Sequence, residues 1–374
     1  MPNNIKILSV FGVRPEATKM TPLVLALKDT PCIDSYVCVT AQHRELLDQV
    51  LIPFGIKPDY DLNLMTVGQS LTDIVTRVLT GLAPVFKEVA PDLLLVHGDT
   101  ATTFAASLAA FYAKISVGHV EAGLRTYDKY RPYPEEMNRK LTTAIADMHF
   151  APTQLAREHL LKENVPDNTI YVTGNTAIDL IKYTVADNYV FQCDALNRLD
   201  FNRRIILMTA HRYENLGQPM EAICRAALRL VEAFPDTILV WPVHPNKAVT
   251  EPAYRILSGH DRILLTQPIN VFDMNNLMKR SYLLLTDSGG LQEEATAFDL
   301  PVLVLREVTE RPEGLTAGTL ALAGVEEASI YSHATRLMTD TALYKKMAEA
   351  PNPFGDGHAS GRIIQAIKEK FIPA

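Results

Sequence analysis

Cysteine is scarce in this chain: Cys32, Cys38, Cys193 and Cys224 are scattered, with no CxxC pair and no metal-ligand spacing. That speaks against a cysteine metal site and fits buried thiols in a reducing compartment. Histidines at ligand spacing are missing too, so no metal is expected, with carboxylate-bound Mg²⁺ as the competing reading of the acids below. Basic charge is not in excess: Lys and Arg number 36 against 43 Asp and Glu, a net charge of −7. Bulk nucleic-acid binding favours a basic surface and is not expected. No apolar run approaches the ~18 residues of a membrane span. The opening MPNNIKILSVFG is too short and strand-like for a signal peptide, so a cytoplasmic protein is expected. Low-complexity tracts and short repeats are absent.

What is present is ordinary globular material: 374 residues, 47% hydrophobic and 21% charged, enough for two domains with cores of their own. Continuous apolar runs predict strands over 5–11, 36–40, 93–97, 115–120, 148–151, 170–173, 205–209, 238–242, 262–265, 282–286 and 302–305. Runs without alternation suit parallel strands covered on both faces. Amphipathic segments such as 69–89, 102–113 and 217–234 fill the gaps. The βαβα order implies an α/β protein with two Rossmann-like doubly wound domains. The alternation breaks between Asp179 and Arg204, which divides the chain into 1–178, a connection over 179–204, and 205–356. Residues 357–374 add one more helix, free to pack on either domain. Ligands bind such sheets at the carboxyl ends of strands, so the two domains are expected to face each other across a cleft.

The motifs all fall just after expected strands. Gly12 to Lys19 reads GVRPEATK: a glycine exit, a proline for the first helical turn, and Arg14 and Lys19 as basic groups. A plain helix start with solvated charges explains the same letters. Asp99 in HGDT suits a helix N-cap as well as a functional acid. Glu121 in GHVEAGLRT follows a buried strand among small residues, an odd place for a solvated carboxylate. Glu135 in YPEEMNR opens a helix. Convergent carboxylates raise one another's pKa and suit general acid–base work. In the second half His211 and Arg212 in TAHRYEN and His244 in WPVHPN repeat the strand-exit pattern. Ser288, Gly289 and Gly290 in LLTDSGGLQEEA present backbone N–H groups at a helix start, which suits a phosphate. Carboxylates one turn on, among them Glu294, suit ribose hydroxyls. Arg311 in LREVTERPEG follows the next strand.

Taken in order, these seven stretches make the chain resemble the non-hydrolysing UDP-N-acetylglucosamine 2-epimerases, from about Ile5 to the C-terminal helix. The resemblance implies a glycosyltransferase-B fold, a homodimer, no cofactor and no metal. It implies interconversion of UDP-GlcNAc and UDP-ManNAc, feeding cell-surface polysaccharide synthesis. Asp99, Glu121 and Glu135 match the family's catalytic acids, with His211 beside them. Arg14, Lys19, Asp99, Glu121, His211, Ile269, Met274, Ser288, Gly289, Gly290, Glu294 and Arg311 match its substrate and UDP contacts. Gln42, His43, Glu135, Arg212 and His244 match an activator site for UDP-GlcNAc. The alternatives of the same family of folds are a glycosyltransferase and a hydrolysing epimerase releasing ManNAc.

The acid cluster fits the chemistry that the resemblance implies. The C2 proton of the sugar is not next to a carbonyl, so the family eliminates UDP across C1–C2 to 2-acetamidoglucal and adds it back. That takes a base, an acid for the opposite face, and stabilisation of the departing UDP. Either carboxylate suits either face. Three positions depart from the family pattern: Tyr213 for a frequent arginine, Pro245 for Leu or Met, and Met274 for an aromatic ring over the uracil. An arginine in the loop at 63–69 is also missing.

Overall fold

The computed structural model describes residues 4–40, 44–64, 66 and 68–372. The chain forms two compact units, Met1–Leu180 together with Gly355–Ala374, and Ile181–Phe354.

The first unit carries strands β1 (Ile5–Phe11), β2 (Ile33–Val39), β3 (Tyr60–Asp61), β4 (Leu93–His97), β5 (Ser116–Val120), β6 (Met148–Ala151) and β7 (Ile170–Val172). They pair in parallel in the order β3-β2-β1-β4-β5-β6-β7. Chain direction across the sheet reverses between β1 and β4, the switch point where doubly wound sheets open a crevice. Leu93, Leu94, Leu95 and Val96 of β4 are fully buried, because helices cover both faces. Burying each such side chain contributes about 1.5–3 kcal/mol, which makes the strand ends at the switch point rigid anchors. Ile7, Leu93 and Leu95 pack toward one face, Leu8, Leu94 and Val96 toward the other.

The C-terminal helix Ala359–Phe371 belongs to this first unit. Ile363, Ile364 and Ile367 join the cluster around Ile5 and Leu23. Buried Asp179 caps it, accepting from the N–H groups of Ala359 at 3.0 Å and Ser360 at 2.9 Å. A carboxylate there satisfies orphan donors and complements the helix dipole.

The second unit carries β8 (Arg204–Thr209), β9 (Thr237–Pro242), β10 (Ile263–Thr266), β11 (Leu283–Thr286), β12 (Val302–Val304) and β13 (Leu320–Leu322). Its order, β10-β9-β8-β11-β12-β13, repeats the reversal, here between β8 and β11. The segment over 181–203, strand-free as expected, is fastened to this unit. Buried Asp273 accepts from the Tyr189 hydroxyl and from the N–H groups of Gln192 and Cys193, at 2.8–2.9 Å.

Two strands, β3 and β13, lie outside the sequence expectation; both are sheet edges of two or three residues, too short for an apolar run. Strand β2 starts three residues earlier than expected, since half-buried Asp34 and Ser35 interrupt its hydrophobic pattern. Among the described residues no helix is long and apolar enough to cross a membrane.

Candidate functional site

The motif residues gather at the two switch points. In the first unit the exit of β1 is tight: a β-carbon on Gly12 would collide with the hydroxyls of Thr40 and Thr102. The helix Arg14–Lys28 follows, with Pro15 in its first turn. Glu16 is buried and turns back to accept from the N–H groups of Gly12 at 2.6 Å and Val13 at 3.0 Å. Its other oxygen accepts from Thr100 Oγ1 at 2.5 Å and Thr103 Oγ1 at 2.9 Å. One carboxylate thus ties the turn after β1 to the turn after β4. Burial pushes its pKa up, opposed by these donors.

Asp99 is not the cap of the helix that follows it. Thr100 takes that place, its hydroxyl accepting from Thr103 N–H at 3.1 Å. Asp99 instead meets Arg139, whose Nη2 lies 2.6 Å and Nε 2.8 Å from Oδ2, a two-pronged pair. Arg139 also reaches buried Glu136 at 3.2 Å. Glu136 in turn accepts from the N–H groups of Thr126 at 3.1 Å and Tyr127 at 3.0 Å, holding the loop before the helix Glu135–Ile145. Glu135 starts that helix; its Oε2 is buried and accepts no hydrogen bond among the described residues.

Glu121 follows β5 directly with φ 62°, in the left-handed region that a residue with a β-carbon adopts at a cost. Its carboxylate pairs with Lys19 and accepts from Asn175 Nδ2 at 3.2 Å. Behind it stands His97, whose Nε2 is 3.7 Å from Glu121 Oε2. Burial pushes His97 down to about 4 and His119 down to about 3, so both rings are neutral at neutral pH. His119 Nε2 donates to Gly98 O at 2.7 Å, which fixes its tautomer because a carbonyl only accepts. Arg14 is exposed at the helix start.

In the second unit the exit of β8 carries His211 and Arg212, the exit of β11 carries Asp287 and Ser288, and the exit of β12 leads to Arg311. Ser288 precedes the short helix Gly289–Ala295. A β-carbon built on Gly289 would lie 3.6 Å from Arg311 Nη2 and 3.8 Å from Arg212 Nη2. Two guanidinium groups therefore flank this glycine, and its bare Cα leaves the main chain open between them. Arg311 is aimed by a partly buried ion pair with Glu293. Glu294 Oε1 comes within 3.7 Å of the corresponding position on Gly290. The loop before Arg311 is tied back by Thr309 Oγ1, which donates to Gln292 Oε1 at 2.6 Å. Ile269 and Met274, half-buried, pack against the core beside Leu264 and Leu291. His211 stacks on His244, ring centroids 5.3 Å apart and planes 12° from parallel.

The expected residues thus fall into two groups. Lys19, Asp99 and Glu121 meet partners at the first switch point; His211, Arg212, His244, Ser288–Gly290, Glu294 and Arg311 gather at the second. Gln42 and His43 lie outside the described residues. Sequence reading passed over Glu16, His97, Arg139, Asn175, Asp287 and Glu293. Five of these sit inside the motifs already quoted, all but Asn175, yet each has a partner remote in the chain.

Comparisons with known proteins identify the family. The family model described as UDP-N-acetylglucosamine 2-epimerase matches residues 25–368. The chain is 55% identical to the UDP-N-acetylglucosamine 2-epimerase of Bacillus subtilis, over 97% of this chain and 95% of that protein. The crystal structure of UDP-GlcNAc 2-epimerase from Neisseria meningitidis bound to UDP-GlcNAc superposes with a TM-score of 0.89 at 46% identity, covering 98% of this chain and 100% of that one. A co-structure of S. aureus MnaA with UDP gives a TM-score of 0.89 at 51% identity, covering 98% and 96%. With the repeated doubly wound sheets and nearly full-length identity around 50%, this chain belongs to the UDP-N-acetylglucosamine 2-epimerase family.

Proposed function

We propose that this protein interconverts UDP-GlcNAc and UDP-ManNAc by eliminating UDP across C1–C2 and adding it back to 2-acetamidoglucal with the C2 proton on the other face. The observation that carries this reading is the pairing of each acid with its own cation: Glu121 with Lys19, and Asp99 with Arg139. A single acid serves one face of C2; epimerisation needs a proton taken on one and returned on the other. Glu121, strained and backed by a neutral His97, is a base whose protonated form has a ring nitrogen within reach. Asp99 and Glu135 are the further acids of the set.

In this reading Arg212 and Arg311 hold the departing diphosphate beside Gly289, and Glu294 accepts the ribose hydroxyls. Charge-assisted contacts of this kind stabilise UDP most strongly once the C1–O bond has broken, which is where they accelerate the step. Arg14 and Lys19 are the basic groups that the first unit contributes to the set. The product feeds cell-surface polysaccharide synthesis, and the chain works as a homodimer.

The test is direct. Purified protein given UDP-GlcNAc alone should develop the anomeric proton signal of UDP-ManNAc, with no stoichiometric release of free ManNAc. Sugar release matching UDP release would instead mark a hydrolysing enzyme, and turnover only with an added acceptor would mark a transferase.

A further inference from the structure

Beneath His211 lies a buried carboxylate that the reading above leaves unused. Asp287 is fully buried at the end of β11. Its Oδ2 accepts three hydrogen bonds: from the N–H groups of His211 and Arg212 at 2.8 Å each, and from Asn215 Nδ2 at 2.9 Å. Asn215 is itself fixed by donating to Leu305 O at 3.0 Å. The carboxylate plane is therefore set. Its second oxygen, Oδ1, is buried and accepts no hydrogen bond among the described residues, with His211 Nδ1 3.4 Å away. The stacked partner ring is treated differently. His244 Nδ1 faces the N–H of Asn246 at 3.2 Å, so it acts as an acceptor and its proton sits on Nε2.

We propose that Asp287 is a positioning residue of the reaction, assigning the proton of the stacked His211–His244 pair to His211. With Nδ1–H of His211 directed to Asp287 Oδ1, the Nε2 edge is free to take a second proton when a nucleoside diphosphate binds. The ring then meets the anion as an imidazolium. That proton enters from solvent with the ligand and leaves with it, and no other bond changes. The Nδ1 of His244 is already taken by the main-chain N–H of Asn246, so the open ring nitrogen of the pair is Nε2 of His211. This assignment rests on the second unit being the UDP-binding one.

The charged and titratable groups facing His211 are Asp287 from the end of β11, His244 from the turn after β9, and Arg212 beside it. Burial holds the ring below its ordinary pKa despite the attraction of Asp287, and His244 and Arg212 add to the lowering. An unliganded neutral ring that gains a proton on binding follows.

Histidine ¹⁵N NMR of the whole protein, with and without UDP, reads this out. On UDP addition near pH 7, His211 should become doubly protonated, its pKa rising by at least one unit. In Asp287→Asn the amide oxygen keeps the three donors, but its NH₂ faces Nδ1 and forces the other tautomer. His211 should then stay neutral with UDP bound, and kcat should fall at least ~10²-fold, since loss of the carboxylate behind a reacting histidine costs up to about 10⁴-fold in serine proteases. In a His211→Gln background the same change should cost no further kcat. A wild-type His211 that stays neutral with UDP bound overturns the assignment, whether or not the variant folds. So does an Asp287→Asn protein whose His211 protonates normally. Absence of UDP binding by calorimetry overturns the UDP-binding reading and this one together; binding with a neutral His211 overturns this one alone.

Discussion

Arg139 and Asp99, 40 positions apart in sequence, form a two-pronged ion pair between the helix Glu135–Ile145 and the exit of β4, and the same guanidinium holds buried Glu136. Removing the cation strands two carboxylates. Arg139→Gln should therefore destabilise the protein by about 3 kcal/mol, the scale for breaking a buried pair from one side. Urea unfolding measures it; an unchanged midpoint would mean that solvent already screens the pair.

The acids should matter to turnover rather than to folding. Asp99→Asn, Glu121→Gln and Glu135→Gln are each expected to lower kcat at least ~10²-fold, the span of lost general acid–base catalysis. Near-normal turnover in all three would remove the basis of the proposed mechanism.

Elimination leaves an isotopic record. Epimerisation in D₂O should place deuterium at C2, and long incubation should leak UDP and 2-acetamidoglucal. Mass spectrometry showing the original hydrogen retained at C2 would point to a hydride path instead.

The buried neutral rings make stability pH-dependent. His97 is held at about 4 in the folded chain against an ordinary 6.5, so between those values the unfolded chain binds more protons. Stability from this group is present above pH 6.5 and is lost as pH falls toward 4. Relative to His97→Gln, wild type should lose on the order of 3 kcal/mol between pH 7 and pH 4, from 1.36 kcal/mol per pKa unit. Denaturation curves of the two proteins that shift in parallel would contradict this.

Activation by UDP-GlcNAc should be weak but detectable. The family's arginine at 63–69 is missing, and losing one charged hydrogen-bond partner weakens binding by ~1–3 kcal/mol. UDP-ManNAc alone should turn over slowly, and a trace of UDP-GlcNAc should speed it. A reverse reaction with no lag and no response to UDP-GlcNAc would show that the activator site is lost.

The fold was legible because both sheets are built from continuous apolar strands, and periodicity reports burial on two faces. What escaped were β3 and β13, edges whose few residues bury little. The motif residues at strand exits were legible for a related reason: glycines, prolines and lone carboxylates stand out after an apolar run. The residues that aim them were not. Glu293 reads as the neighbour of Glu294, yet it is the one that holds Arg311. His97 reads as the last letter of a strand, yet it stands behind Glu121 because β4 and β5 are adjacent. Such partnerships depend on strand order, which local pattern does not encode. Thr100 shows the opposite lesson: the cap it supplies is a neighbour effect, and it leaves Asp99 available to Arg139.

The C-terminal helix held by Asp179 has a consequence for synthesis on the ribosome. The core around Ile5 and Leu23 is closed by Ile363, Ile364 and Ile367, which are translated after every strand of both units. The second unit, Ile181–Phe354, has all its strands before that point and is contiguous. Vectorial folding therefore runs in reverse of the usual order: the unit begun first is finished after the contiguous one. A stop codon placed before Ala359 would leave the contiguous unit intact and the earlier-begun one open.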